Sequence, residues 1–288
     1  MKLPAKALLG LIMLPAVSQG TVIVNETFAD NERVTQNLPD SVQWTYGAHR
    51  SSEAFTSLTA ASGKLTWDHT TATANSFSAI WGHFASTSPA LGETLRLSFT
   101  VSFSSAGAFY TSDGAFRWAL LNSNGNRVTT DFAGNNTSGI SSGATFSTWT
   151  GYQGDSAVAG TPNANTLQIR ERKGSGDSLF TGSNWDVRSA GNTIATSTAD
   201  VAVVLDVTRT AAGVTIGTSY GGSSISYVDT SATTTSFDTI AFFTVDGLTK
   251  DIILSNIKVE TLIIPEPASA WLGALGFAGF AFRRKRNA

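Results

Sequence analysis

The 288-residue chain is 41% hydrophobic and 14% charged, with 27 Gly, no Cys and a formal net charge of −2; it is too apolar to be disordered and too glycine-rich to be mostly helical. The lack of cysteine excludes disulfides, Cys-ligated zinc, iron–sulfur clusters and thiol nucleophiles. Setting aside six basic residues at the two ends and Glu266 leaves 13 basic against 20 acidic residues, about −7 for the body, which argues against a nucleic-acid partner because phosphate binding needs a basic face.

At the start, Lys2 and Lys6 flank the entry to an apolar stretch from Ala7 to Val17 that ends among the small residues Ala16, Ser18 and Gly20. Positive charge, a short apolar run and small residues, in that order, make residues 1–20 a secretory signal.

Residues 21–262 read as one domain of short strands. Alternation predicts strands over Val22–Phe28, Val42–Tyr46, Lys64–Asp68, Phe77–Phe84, Thr94–Phe103, Phe116–Leu121, Thr145–Tyr152 and Thr166–Arg172. The clearest places Leu95, Leu97, Phe99, Val101 and Phe103 on one face. Phe116, Trp118 and Leu120 alternate in the same way, which assigns Trp118 to the core. The Asn124-Gly125 pair predicts a hairpin from Phe116–Leu121 into Arg127–Phe132, since it supplies the positive φ of a tight turn. Further strands are predicted over Val201–Thr210, Val214–Tyr220, Ile225–Asp229, Ile240–Val245 and Ile252–Leu262, the first two joined as a hairpin through Ala211, Ala212 and Gly213. No stretch of the body keeps a helical period and no repeat recurs, so the expected class is all-β, an antiparallel two-sheet β-sandwich or jelly roll. The segments Phe28-Ala29-Asp30-Asn31-Glu32-Arg33 with Asn37-Leu38-Pro39, Phe116 to Gly125, Phe237 to Phe243 and Leu254-Ser255-Asn256-Ile257 resemble concanavalin A-like domains of exported bacterial proteins. The resemblance implies a lectin- or glucanase-like sandwich whose concave face often meets glycans, and implies no activity.

Residues 263–288 carry Pro265-Glu266-Pro267, an apolar run over 268–282 and the basic cluster Arg283, Arg284, Lys285 and Arg286. About fifteen apolar residues are slightly short of the ~20 of a comfortable span, so a single transmembrane helix here crosses with little tilt and with snorkelling arginines. The positive-inside rule keeps the basic cluster in the cytoplasm and the body outside. The prolines prevent a helix from running on into the body. This tripartite order closely resembles the PEP-CTERM sorting signal. The resemblance implies export across the inner membrane, anchoring there before processing, and cleavage near the motif by exosortase, which releases the body to the cell surface or beyond. Exosortase and the export machinery are then the expected partners.

Sequence offers little catalytic chemistry. A glycoside hydrolase needs two carboxylates flanking the bond, and Glu26, Glu32, Glu53, Glu93, Glu171 and Glu260 include no Glu-x-Asp-x-x-Glu arrangement; Glu26, Asp30 and Glu32 read as solvated residues of a strand end and turn. Gly139-Ile140-Ser141-Ser142-Gly143 matches a nucleophile elbow only in letters, because no helix follows it. His49, His69 and His83 lack ligand spacing, so no metal is assigned, and no cofactor is implied. Asp113, Asn122, Asn124, Asn126, Asp131, Asn135 and Asn136 offer oxygens to calcium, but the same residue types build turns, and sequence leaves the ion open. Trp149, Tyr152 and Trp185 sit among Ser, Thr, Gly and Asn and are the candidates for stacking on sugar rings, weighed against packing in the core. The expectation is a non-catalytic exported sandwich that meets extracellular polysaccharide weakly. The alternatives are a polysaccharide-degrading hydrolase or lyase with carboxylates converging from distant strands, and a matrix protein without a ligand.

Overall fold

The computed structural model describes residues 20–35, 37–48, 58–68, 78–107, 115–133, 146–156, 166–174, 176, 179, 184–245 and 250–263. The secretory signal, the sorting tail with its apolar run, His49, His69, Asp113, Asn135, Asn136 and the Gly139–Gly143 match lie outside them. Among the described residues no helix is long and apolar enough to cross a membrane.

Alternation of apolar and polar residues sets the strands. In chain order they are β1 (Thr21–Glu26), β2 (Trp44–Ala48), β3 (Leu58–Ala61), β4 (Lys64–Trp67), β5 (Ser78–Thr87), β6 (Glu93–Phe103), β7 (Ala115–Asn122) and β8 (Phe132–Ala133). There follow β9 (Thr150–Asp155), β10 (Thr166–Lys173), β11 (Trp185–Thr193), β12 (Val201–Thr210), β13 (Gly213–Tyr220), β14 (Ser223–Asp229), β15 (Phe237–Val245) and β16 (Ile252–Ile263). A 3-10 turn spans Phe146–Thr148.

The strands form two eight-stranded sheets. The first has the order β14-β13-β12-β6-β16-β4-β3. Its last strand, β16, pairs β6 on one edge, and on the other edge β4 through Ile252–Leu254 and β1 through Ile257–Thr261. The register slips between Ser255 and Lys258, where Asn256 takes a φ of 52°, a left-handed conformation that Asn tolerates and a bulge requires. The second sheet has the order β11-β10-β9-β7-β15-β5-β2-β8 and is antiparallel except for the short β2–β8 pair.

The main core lies between the sheets. Leu95, Leu97, Phe99, Val101 and Phe103 of β6 face Phe116, Trp118 and Leu120 of β7 and Ile240 and Phe242 of β15, all 3% exposed or less. Phe99 meets Phe242 edge-on at 4.9 Å between centroids. The Trp118 ring lies over β9 because residue 154 is Gly: a Cβ there would stand 2.3 Å from the indole. The Trp118 Nε1–H crosses the core to donate to Thr218 of β13 at 3.0 Å, so the largest side chain at the centre leaves no polar atom unmatched.

Two expectations need correction. The predicted hairpin partner Arg127–Phe132 is not a strand beside β7, whose neighbours are β15 and β9; only Phe132 and Ala133 pair, and they pair with β2. The Asn124-Gly125 turn forms as expected, with φ values of 50° and 81°, but the chain after it leaves the ladder and crosses the sheet. Nor is Glu26 a solvated carboxylate: it is fully buried, accepting from the Phe28 N–H at 2.9 Å and the Trp44 indole at 3.3 Å.

Candidate functional site

The second sheet has a worked outer face. Residues that alternate with the main-core set point away from the first sheet, and in register they form three rows: Gln168-Asp155-Arg117-Phe243-Ala79, then Arg170-Gln153-Ala119-Ala241-Trp81-Thr45, then Arg172-Gly151-Leu121-Thr239-His83. The middle of this face is a second apolar cluster in which Trp81, Phe243 and Leu121 pack beneath Phe146, Trp149, Leu179 and Trp185. The β9–β10 side is ionic: Asp155 lies 2.7 Å from Arg170 and 3.2 Å from Arg117, all three buried. Arg172 donates to the carbonyls of Trp149, Phe146 and Gly176 and so ties the covering segments to the sheet.

The β2–β5 side opens. There the segment after the Asn124-Gly125 turn passes over β5 and β2, and its carbonyls take side-chain donors in place of strand partners. The Val128 oxygen accepts from Trp81 Nε1 at 2.8 Å and from His83 Nε2 at 3.0 Å; the Thr129 oxygen accepts from Gln43 Nε2 at 2.9 Å. Between segment and sheet is a pocket of about 200 Å³ lined by Gln43, Thr45, His83, Arg127 and Thr129. Its wall holds hydrogen-bonding capacity that the protein does not use. Thr45 is 1% exposed, and its hydroxyl has no partner among the described residues. Gln43 spends its amide N–H but not its oxygen. Arg127 gives Nη2 to the Phe84 carbonyl and sets Nε 3.5 Å from Asp238, and its Nη1 has no partner among the described residues.

Behind the pocket runs a chain of polar contacts. His83 Nδ1 and the Thr239 hydroxyl are 2.8 Å apart; the same hydroxyl lies 2.8 Å from Asp238, which also accepts from the Ser123 N–H at 2.8 Å and hydroxyl at 2.6 Å. The His83 ring rests edge-on against Trp149 at 5.7 Å. Burial pushes its pKa below 6.5, against the Val128 bond and the Asp238 charge, while Arg127 pushes the same way as burial.

The aromatic residues singled out from sequence are elsewhere. Trp149, Tyr152 and Trp185 are 0%, 0% and 3% exposed, and so offer no ring to a sugar. Tyr152 points into the main core and donates to Asp229 at 3.0 Å. Trp149 and Trp185 belong to the outer-face cluster and donate to the carbonyls of Asn126 and Leu179. Small polar neighbours marked segments that pack over the sheet, with each indole and phenol supplied with an acceptor inside, rather than an open platform. Of the loop residues considered for calcium, Asn122 accepts from the Asn124 N–H through its side-chain oxygen and Asp131 takes the Arg33 guanidinium at 2.6 Å and the Tyr46 N–H at 2.8 Å, while Asn126 donates its Nδ2 to Thr148. No group of three or more metal-binding side chains occurs among the described residues.

Sequence reading passed over the pocket residues. His83 carries no ligand spacing in the sequence; in the fold, β5 lies inside the sheet between β15 and β2. The usable signal was Trp81-Gly82-His83, in which two large polar-tipped rings stand on the face opposite Ile80 and Phe84.

Residues 264–286 match a known sorting signal. They are a PEP-CTERM protein-sorting motif. The motif takes in Pro265, Glu266, Pro267, Arg283, Arg284, Lys285 and Arg286, and it implies export, with membrane anchoring before exosortase cleavage. No curated protein matches the chain. Among solved structures, the metal-free carbohydrate recognition domain of Emp46p is similar at 13% identity and a TM-score of 0.50, over 84% of this chain and 95% of that one. The endo-1,3-beta-glucanase from Streptomyces sioyaensis is similar at 9% identity and a TM-score of 0.52, over 88% and 99%. At such identities the likeness shows the fold: a lectin- and glucanase-like jelly roll.

Proposed function

We propose that the PEP-CTERM chain is an exosortase-processed protein of the cell surface or extracellular matrix whose sandwich binds saccharide without cleaving it. The observation that carries this reading is the pocket of Gln43, Thr45, His83, Arg127 and Thr129, lined by a hydroxyl, an amide oxygen and the Arg127 Nη1 that have no partners among the described residues. Saccharide hydroxyls donate and accept in the same small space, and a polar group left unmatched in a pocket is an incentive for such a ligand. A solved structure of similar fold is a carbohydrate recognition domain, which makes the fold compatible with saccharide binding.

The non-catalytic half rests on the carboxylates of that face. Hydrolysis requires two carboxyl groups free to act on opposite sides of one bond. Asp155 is held between two arginines and Asp238 is filled by Ser123 and Thr239. Both serve the fold.

Affinity gels with entrapped polysaccharides, run on the protein recovered from the cell envelope, test the binding. Retardation that Thr45→Val and Gln43→Ala abolish supports it, and identical mobility in every gel overturns it. Release of reducing ends or unsaturated products would overturn the non-catalytic reading. Mass spectrometry that finds Arg283–Arg286 still attached to the envelope protein would overturn processing.

A further inference from the structure

Resting on the saccharide-binding reading, we propose that the pocket takes the carboxylate of an acidic sugar and that His83 picks up a proton from solvent as it binds. Among the described residues the pocket wall carries one charged group, Arg127, whose side chain is 40% exposed and whose Nη1 has no acceptor among them. The nearby carboxylate, Asp238, is 6% exposed and is filled from behind by Ser123 and Thr239. A guanidinium whose anionic neighbour among the described residues, Asp238, sits 3.5 Å from Nε and already accepts from Ser123 and Thr239, next to the Thr45 hydroxyl and the Gln43 amide oxygen, fits a ligand that brings both hydroxyls and a negative charge.

The proton follows from counting hydrogens. The Val128 carbonyl only accepts, so His83 Nε2 carries hydrogen. Thr239 has one hydroxyl hydrogen and two acceptors at 2.8 Å, Asp238 and, in a neutral ring, His83 Nδ1. One of those contacts must then lack a hydrogen. A proton on Nδ1 completes the set: Nδ1–H donates to Thr239, Thr239 donates to Asp238, and Nε2–H donates to Val128.

Burial and the Arg127 charge oppose that proton. The charged groups that face His83 are Asp238 from β15 and Arg127 from the crossing segment; β2 contributes Thr45, the residue before it is Gln43, and the turn before β9 contributes Trp149, none of them titratable. A carboxylate seated on Arg127 cancels the opposing charge and tips the balance. By reciprocity, the affinity for the acidic sugar rises as pH falls.

Calorimetry of the full chain in detergent tests this with tri-galacturonate, its methyl ester and a neutral glucan trisaccharide, at pH 8.0 and pH 5.5. The acid should bind about tenfold or more tighter than its ester at pH 5.5. Its affinity should be greater at pH 5.5 than at pH 8.0, and buffers of different ionisation enthalpy should report proton uptake. His83→Gln should abolish the uptake and the pH dependence, and Arg127→Gln the preference for acid over ester. Equal affinity for acid and ester, or acid binding with no proton uptake by the unaltered protein, overturns the inference and leaves the saccharide reading standing. Silence toward all three sugars, with the affinity gels also flat, overturns both.

Discussion

Trp81 and His83, two positions apart on β5, donate to the same backbone oxygen, that of Val128, at 2.8 and 3.0 Å. One carbonyl thus fastens the crossing segment to the sheet and forms the rim of the pocket. Trp81→Phe keeps most of the buried ring and removes one donor. It should lower stability by about 1–3 kcal/mol, from the lost hydrogen bond and the volume change, and loosen the pocket rim. The urea midpoint and retardation in a polysaccharide gel read the two effects separately, and an unchanged midpoint would contradict the role given to this bond.

Tyr152→Phe separates core from surface. The ring is fully buried and its hydroxyl donates to Asp229 across the sandwich, so the substitution should cost about 1–3 kcal/mol by leaving that carboxylate short of a donor. Saccharide affinity should be unchanged, because the side chain faces the main core. A variant of native stability with weakened binding would return Tyr152 to the binding surface.

Gly154→Ala should be among the more damaging single-methyl additions. The new Cβ would lie 2.3 Å from the Trp118 indole, and that ring is pinned by its bond to Thr218. Overpacking of this kind costs about 1–3 kcal/mol. Thermal unfolding followed by tryptophan fluorescence measures it; a melting temperature equal to that of the unaltered protein would show that the ring has room to move.

Glu26 makes stability depend on acid pH. Burial raises its pKa above the 4.5 of the free carboxyl, only partly offset by hydrogen bonds from Phe28, Trp44 and Val42. Between those two values the folded chain holds more proton than the unfolded one, so the Glu26 contribution is full below 4.5 and is lost as pH rises through the folded value. Glu26→Gln should remove that slope. Denaturation at closely spaced pH values checks this, and an unchanged slope in the variant would rule Glu26 out as its source.

The sandwich was legible because its strands obey a simple alternation. Leu95 to Phe103 and Phe116 to Leu120 each place every second residue in the main core, and the hairpin through Ala211 and Ala212 joins β12 to β13 as the spacing implied. The pocket was not legible, for a reason visible at Arg127–Thr130. Locally that segment reads as the return strand of a hairpin, but β7 already has β9 and β15 on its two edges. With no free edge to join, the segment crosses the sheet, and Gln43 before β2 and Trp81 and His83 of β5 satisfy it from 40 or more residues earlier. β11 was not legible because Asp, Arg, Ser, Gly and Asn interrupt its apolar pattern, and the same polar neighbours left Trp185 weighed between sugar stacking and the core.

The arrangement around β16 has a mechanical consequence. The strand that leads into the sorting tail is held along both edges, by β6 on one and by β4 and β1 on the other, with Thr21 opposite Thr261. Tension arriving through the tether is therefore shared at once among three neighbouring strands, and trimming beyond either end of the body leaves that seam closed.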